Sequence, residues 1–286
     1  MSGRSKTLGS DLRSGIGFEP DTRQDGVMET GAGLVKSGAA LQPLKRLGAL
    51  LLDTLYPPTC LSCDAPVATA DTLCPGCFRQ LRPITAPMCP VLGIPFEVSL
   101  GPEARSAEAI ADPPPFDRAR AAVIYNDVAR SLVGKLKYGD RPELARFCAR
   151  LIAQAGHELW GPDAVLVPVP MHRTRQFARR YNQATELARA LGRLTGLPVD
   201  PAAVTRSKNT KPQVGLSGDA RRRNLAGAFQ PSPDISSRLK GRRVIIVDDV
   251  VTTGSTAKAV TRALRSGGVE HVDVVSFARV VTGKDD

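Results

Sequence analysis

The sequence predicts an α/β fold: a parallel sheet flanked by helices, preceded by a small module built on cysteine knuckles. Apolar, β-branched segments alternate with amphipathic helical segments after about residue 118, and this alternation is typical of parallel sheets covered by helices. Residues 244–247 are entirely apolar, as in a strand buried on both faces. Upstream, four cysteines form two close pairs. The length of 286 residues allows two domains, or one domain with an appendage.

The chain divides into four predicted segments. Residues 1–40 are rich in Gly and Ser and are expected to be disordered, because they can bury too little apolar surface to offset the entropy of ordering. Residues 41–95 should hold a leucine-rich helix at 42–55, stopped by two prolines, and then the cysteine module. Residues 96–118, which contain three consecutive prolines, are predicted to be a linker, and residues 119–286 the α/β domain.

Strands and helices alternate along that domain. The expected strands cover residues 121–125, 164–169, 244–247 and 272–277. A first helix is expected to end at residue 139, and three others are expected over 143–159, 184–194 and 256–266. Gly196 ends the helix at 184–194. In such sheets the loops at the carboxyl ends of the strands hold the ligands.

Composition excludes several classes of protein. An apolar fraction of 42% and a charged fraction of 23% are ordinary for a globular chain and argue against global disorder. Six cysteines are too few for a secreted disulfide scaffold of this size. No run of 18 apolar residues and no secretory signal is seen, so we expect a cytoplasmic protein with reduced thiols and no membrane insertion.

Positive charge is concentrated in two segments. Of the net charge of +11, residues 171–180 carry a surplus of four and residues 206–223 a surplus of five. Phosphates, on a small molecule or on a nucleic acid, are the natural partners of such a focused site. The alternative is two solvated loops with incidental arginines.

The cysteine module predicts a metal site. Cys60 and Cys63 form one knuckle, and Cys74 and Cys77 form a second one ten residues later. Two such pairs complete a tetrahedral shell of four thiolates around Zn2+, with no open position, so the zinc should be structural. Paired buried thiols or a redox pair are the alternatives, but a redox pair gives the second knuckle no role.

The most specific segment is residues 244–257, VIIVDDVVTTGSTA. A buried strand ends in two carboxylates, Asp248 and Asp249, and a hydroxyl-rich loop then leads into a helix. Backbone N–H groups and hydroxyls at a helix N-terminus form an anion cradle, which Gly254 lets a phosphate approach. The carboxylates suit vicinal ribose hydroxyls, directly or through Mg2+. The alternative is a plain strand-to-helix turn capped by Thr and Asp.

This segment resembles the 5-phosphoribosyl-1-pyrophosphate (PRPP) motif of type I phosphoribosyltransferases. Together with the leucine-rich helix and the cysteine knuckles, other motifs resemble the ComF family of competence proteins over residues 42–281. They are KLKYG at 135–139, VPVP at 167–170 before an arginine loop, YNQ at 181–183, and QVGLS at 213–217 before RRRN at 221–224. The chain departs from that family in two places: Leu92 replaces the partner of Cys89, which argues against a second metal site, and Arg180-Tyr181 stand where Gly-Phe is common.

The resemblance implies roles for particular residues. Binding of PRPP or a related phosphosugar or nucleotide, with Mg2+, falls to the carboxylates, the loop and nearby cations: Asp248, Asp249, Thr252, Thr253, Gly254, Ser255, Thr256, Arg173, Arg180 and Lys137. Catalysis falls to the two carboxylates with Arg221 and Arg222, in a segment expected to act as a flexible lid over pyrophosphate. Lys135 and Lys137 could equally belong to a solvated helix face.

Two functions of different class remain open at this stage. The first is a phosphoribosyltransferase with an unknown acceptor, linked to DNA uptake and natural transformation. The second is a non-catalytic sensor or adaptor, whose basic loops bind nucleotide or single-stranded DNA while the zinc module docks competence proteins. Few aromatics stand among the basic residues, which weakens a stacking groove for single strands.

Overall fold

The computed structural model describes residues 57–138, 141–174, 181–208 and 223–281. The tail predicted at 1–40 and the leucine-rich helix lie outside these residues. So do several predicted cations of the two basic segments: Arg175, Arg179, Arg180, Lys211, Arg221 and Arg222.

A four-stranded parallel sheet organises the described chain, with strand order β1-β6-β5-β2. Its strands are β1 (Arg118–Ile124), β2 (Ala164–Pro168), β5 (Arg243–Val251) and β6 (His271–Arg279), and a separate antiparallel pair is made by β3 (Val204–Arg206) and β4 (Phe229–Pro231). The helices are α1 (Pro75–Gln80), α2 (Ala107–Ala111), α3 (Asp127–Tyr138), α4 (Pro142–Ala155), α5 (Gln183–Thr195), α6 (Ile235–Leu239) and α7 (Ser255–Ser266). The predicted α/β class, with helices flanking a parallel sheet, is confirmed.

Both faces of the sheet are buried, as the apolar strand at 244–247 indicated. Ile245 and Val247 pack on one face with α3, α4 and α5. Val244 and Ile246 pack on the other with α6, α7 and the β3–β4 pair. None of the helices in the described part of the chain is both long and apolar enough to cross a membrane.

Two predicted elements differ from the structure in ways that matter. The helix expected over 143–159 ends at Ala155, and a 3-10 turn follows at His157–Leu159. The break falls at Gly156, where a Cβ would lie 2.6 Å from the ring of Trp160, so the indole occupies the space that a side chain would need. The carboxylates expected at the end of the buried strand lie inside β5, because its pairing with β6 continues to Val251 opposite Arg279.

The segment expected to be a linker also holds structure. Residues 107–111 form α2, capped by Ser106, whose hydroxyl accepts the N–H of Ala109. Ala109 and Phe116 are buried in the same core as β5 and α7. This stretch therefore packs against the sheet before β1 begins.

Candidate functional site

The two carboxylates of β5 face different environments. Asp249 is 6% exposed, and its Oδ2 lies 2.8 Å from the Nζ of Lys137 at the end of α3. Asp248 is half-buried, and its Oδ1 accepts the backbone N–H of Asp249 at 2.9 Å. Asp249 Oδ1 in turn accepts the N–H of Val250. The backbone and Lys137 together fix the orientation of the pair.

The surroundings of Asp248 disfavour its ionised form. Burial, and next the negative charge of Asp249, raise the pKa of Asp248 well above the usual carboxyl value. A group in this state is stabilised by any ligand that donates hydrogen bonds to it or brings positive charge beside it. Ribose hydroxyls and a hard divalent cation both do so.

The loop after β5 forms an open cradle at the start of α7. Gly254 has φ of 73°, a left-handed conformation that favours glycine, and a Cβ there would meet nothing within 4 Å. The hydroxyls of Thr253 and Ser255 lie 2.7 Å apart. A twelve-residue helix begins here, and the N–H groups in the first turn of a helix favour an anion.

The YNQ motif connects the elements around the site. The Tyr181 hydroxyl donates to the carbonyl of Leu136 in α3 at 2.6 Å. Asn182 caps α5 by accepting the N–H of Ala184, and its amide donates to the carbonyl of Val169 after β2. These bonds tie the start of α5 to the helix that carries Lys137.

The described cations of the two basic segments have varied surroundings. Arg173 is exposed just after β2. Arg206 lies over the ring of Phe229 at 5.3 Å, and Lys208 donates to the carbonyl of Ala226. The structure pairs Lys135 with Asp64 of the cysteine module rather than with the carboxylates of β5.

The four predicted metal ligands come together. The Sγ atoms of Cys60, Cys63, Cys74 and Cys77 all lie within 4.8 Å of one another. Burial opposes ionisation of Cys60, but backbone N–H groups outweigh it and lower its pKa to about 6. Burial and the neighbouring thiols raise the pKa of Cys77 to about 12. A bound Zn2+ keeps all four sulfurs deprotonated, and this donor set fits a structural zinc site.

The cysteine module is docked on α3 and α4. Asp64 pairs with Lys135 at 2.6 Å and with Arg141 at 3.3 Å, and Asp71 pairs with Arg146 at 2.7 Å. Beneath these ion pairs, Leu61 and Leu73 enter the apolar core shared with the sheet. The metal centre is therefore continuous with the α/β core.

A second turn of the module lies against β1. The thiol of Cys89 is buried and accepts the N–H of Leu92, whose side chain is buried in the core on the α7 face. Gly93 has φ of 64°, and a Cβ there would lie 2.4 Å from the carbonyl oxygen of Ala119. Only glycine permits this approach, so the turn is fitted closely to the strand.

Sequence reasoning missed one residue near the site, Arg279. It ends β6 beside Val251, it is 6% exposed, and it follows VDVVSFA, a mostly apolar stretch that also holds Asp273 and Ser276. The signal was available: a single arginine stands where a buried parallel strand ends, at the ligand edge of the sheet.

Comparison with known proteins accounts for both parts of the molecule. The double zinc ribbon domain family matches residues 51–111, and the phosphoribosyl transferase domain family matches residues 136–286. Competence protein F of Haemophilus influenzae is 32% identical over 77% of this chain and 96% of its own length. The DNA utilization protein YhgH of Escherichia coli K12 is 33% identical over 79% of this chain and 98% of its own length.

The chain belongs to the ComF family of competence proteins. Another member, competence protein ComFC of Bacillus subtilis, is 26% identical and covers 77% of this ComF-family chain. Among solved structures, a hypoxanthine phosphoribosyltransferase from Staphylococcus aureus matches 51% of it at 18% identity, with a TM-score of 0.30.

Proposed function

We propose that this ComF-family chain binds PRPP with Mg2+ and transfers its phosphoribosyl group to an acceptor, releasing pyrophosphate. One arrangement carries the proposal: Asp248 and Asp249 on β5 stand directly before a hydroxyl-rich loop that opens onto the start of α7. The carboxylates suit the two ribose hydroxyls, and the hydroxyls and N–H groups of the loop suit the 5′-phosphate of the same sugar. Resemblance to the PRPP motif supports the same assignment.

Each part of PRPP has proposed partners. Asp248 and Asp249 hold the ribose hydroxyls, and Lys137 keeps Asp249 oriented through their ion pair. The 5′-phosphate is held by hydroxyls and N–H groups of residues 252–256. Arg173 and Arg180 meet the pyrophosphate, and Arg221 and Arg222 cover it from the second basic segment.

The donor set fits Mg2+. Asp248 and Asp249 present carboxylate oxygens, which hard divalent cations prefer, and the raised pKa of Asp248 is a cost that a cation relieves. Mg2+ held there with the substrate would supply positive charge to the departing pyrophosphate.

The reaction needs no covalent nucleophile. The bond between C1 of ribose and pyrophosphate breaks, and the sugar becomes oxocarbenium-like. Arginines and backbone N–H groups stabilise the charge that grows on pyrophosphate, while the carboxylates hold the ribose in place.

A cellular role in DNA uptake follows from the relatives' names, competence protein and DNA utilization protein. We place this activity in the cytoplasm, with competence proteins as partners of the zinc module. The second candidate is a PRPP or nucleotide sensor, or an adaptor that binds single-stranded DNA. The surplus of nine positive charges in residues 171–180 and 206–223 favours it, because such segments suit a phosphate backbone.

Calorimetric titration of the zinc-loaded protein with PRPP, with and without Mg2+, tests the first candidate. We expect micromolar binding that requires Mg2+ and is lost in the double variant Asp248→Asn, Asp249→Asn. Absence of binding at millimolar PRPP, or unchanged affinity in the double variant, would overturn the assignment.

Titration with single-stranded DNA at several salt concentrations tests the second candidate. Replacing Arg221, Arg222 and Arg223 with Ala should weaken binding and flatten its salt dependence, because fewer phosphates are neutralised. An unaltered slope would place any bound DNA elsewhere on the molecule.

A further inference from the structure

One face of helix α3 is bonded to the cysteine module. The hydroxyl of Ser131 donates to the backbone carbonyl of Ser62 at 3.0 Å, and the ammonium of Lys135 pairs with Asp64 at 2.6 Å. Ser131 and Lys135 are four residues apart, so their side chains lie on the same face of the helix. The module therefore holds α3 at two successive turns.

Both acceptors belong to the first cysteine knuckle. Ser62 and Asp64 flank Cys63 in the sequence, and the N–H of Ser62 donates to the Sγ of Cys60 at 3.4 Å. Ser62 is thus bonded to a predicted zinc ligand through its N–H and to α3 through its carbonyl. The position of this knuckle therefore bears directly on the position of the helix.

The last turn of α3 reaches the proposed sugar subsite, which consists of Asp248 and Asp249. The ammonium of Lys137 lies 2.8 Å from Oδ2 of Asp249. The carbonyl of Leu136 accepts the hydroxyl of Tyr181 at 2.6 Å, which is the bond that joins this turn to the segment before α5. The placement of the ammonium on the carboxylate therefore depends on how the last turn is held.

A glycine weakens the helix just before this turn. Gly134 lies in the interior of α3, and a Cβ there would meet nothing within 4 Å, so the packing does not require glycine. Glycine destabilises a helix because its backbone loses more conformational freedom on folding than that of any other residue. The turn that carries Lys135 and Lys137 therefore depends on contacts outside the helix to stay ordered.

We propose that Ser131 and Lys135 are positioning residues, through which the cysteine module holds the last turn of α3 and keeps Lys137 on Asp249. The inference rests on the proposed function, because it takes Asp248 and Asp249 as the ribose subsite. An ordered lysine fixes the carboxylate before PRPP arrives, so less conformational freedom is lost on binding. PRPP affinity then depends on the module and, by linkage, bound PRPP increases the affinity of the module for zinc.

Helix α4 offers a matched control, because it contacts the same module with the same two kinds of bond. Arg146 pairs with Asp71 at 2.7 Å, and Arg150, four residues later, donates to the carbonyl of Asp71 at 3.0 Å. Helix α4 carries none of the residues that we assign to the PRPP site. The test variant is Ser131→Ala with Lys135→Met, and the control variant is Arg146→Met with Arg150→Met.

Calorimetric titration with PRPP and Mg2+ compares the two zinc-loaded double variants. We expect the affinity to fall about tenfold in the test variant and to stay within about 1.5-fold of the parent in the control variant. Adding Gly134→Ala to the test variant should restore most of the affinity, because alanine orders the helix without remaking either bond. A general loosening of the module would instead weaken PRPP binding in both double variants alike.

The rate at which zinc passes to a chromophoric chelator tests the same coupling in the reverse direction, without PRPP. Lys137→Met should speed release about threefold, because the last turn of α3 then holds the first knuckle less firmly. Leu239→Ala is the control, since it creates a cavity in the core on the opposite face of the sheet. It should lower the melting temperature without speeding release, whereas release through global unfolding would be faster in both variants.

The outcomes separate this inference from the proposed function. If PRPP binds but the two double variants lose affinity equally, or neither loses any, the positioning role is wrong and PRPP binding stands. If the parent does not bind PRPP, the proposed function fails and zinc release decides the coupling. Release from Lys137→Met at the parent's rate, or equal acceleration in Lys137→Met and Leu239→Ala, would overturn it.

Discussion

Lys137 and Asp249 form an ion pair of 2.8 Å between the end of α3 and the strand that carries the proposed sugar subsite. Lys135, two residues earlier on the same helix, holds Asp64 of the zinc module at 2.6 Å. Residues two apart on a helix do not share a face, because each step turns the chain by about 100°. Helix α3 therefore contacts the cysteine module with one lysine and the proposed sugar subsite with the other.

Replacing Lys137 with Met should destabilise the protein by about 2–3 kcal/mol, because it leaves the carboxylate of Asp249 buried without its cation. The lysine is 27% exposed, which keeps the expected loss below that of a fully buried pair. Urea unfolding, followed by circular dichroism, measures the change in the free energy of unfolding.

Lys135→Met is the matched control. It breaks an ion pair whose acid, Asp64, is 59% exposed, so we expect a loss of about 0.5 kcal/mol. Adding Asp249→Asn to Lys137→Met should recover much of the larger loss. Equal losses from the two lysine variants would contradict the importance of the buried pair.

Asp248→Asn should stabilise the protein at neutral pH while it abolishes PRPP binding. The pKa of Asp248 is raised in the folded state, so the folded chain holds this proton more tightly than the unfolded chain does. The free energy of unfolding therefore falls as the pH rises from the ordinary carboxyl pKa to the raised one. Asn does not ionise, so the variant should not lose this part of the free energy of unfolding as the pH rises.

Melting temperatures across a pH series check this prediction. The variant should melt above the parent at about pH 8, and the difference should shrink towards about pH 2–3, where the parent carboxyl is protonated in both states. A variant that melts below the parent throughout the series would show that Asp248 supports the fold through its charge.

The sequence predicted those features that depend on short, strong patterns. The apolar run at 244–247 predicted a doubly buried strand, and the paired cysteines predicted a metal cluster. Arg279 was missed because its surroundings depend on packing between α2, the second module turn and β6, which are distant in sequence. The extent of β5 was missed because aspartate is uncommon in strands, so the sequence pattern predicted no strand beyond Val247. Pairing with β6 nevertheless extends β5 through Asp248 and Asp249 to Val251.

Loss of zinc should unfold more than the cysteine module. Leu61 and Leu73 pack in the core that also holds side chains of α3 and α4. If the module unfolds without its metal, the α/β domain loses these apolar contacts. Cys63→Ser, at the exposed ligand, should abolish zinc retention and lower the melting temperature. Trp160, the single tryptophan, packs against that core and reports on the α/β domain by fluorescence.

Cys89→Ser makes the same chemical change outside the cluster. This variant should keep its zinc, as measured by elemental analysis, even if the buried hydroxyl lowers stability somewhat. A Cys63→Ser protein whose Trp160 transition matches that of the parent would show that the metal module and the sheet unfold independently.

Gly254→Ala should separate backbone strain from ligand contact. Gly254 and Gly241 have φ of 73° and 68°, and in both cases a Cβ would meet nothing within 4 Å. The left-handed conformation should cost each alanine variant about 1 kcal/mol of stability. Only Gly254 lies in the proposed phosphate loop, where the new methyl group would project into the space proposed for the phosphate. We therefore expect equal losses in melting temperature, and a loss of PRPP affinity of at least tenfold in Gly254→Ala alone. Calorimetric titration of both variants decides the matter, and equal PRPP affinity would remove the loop from the proposed site.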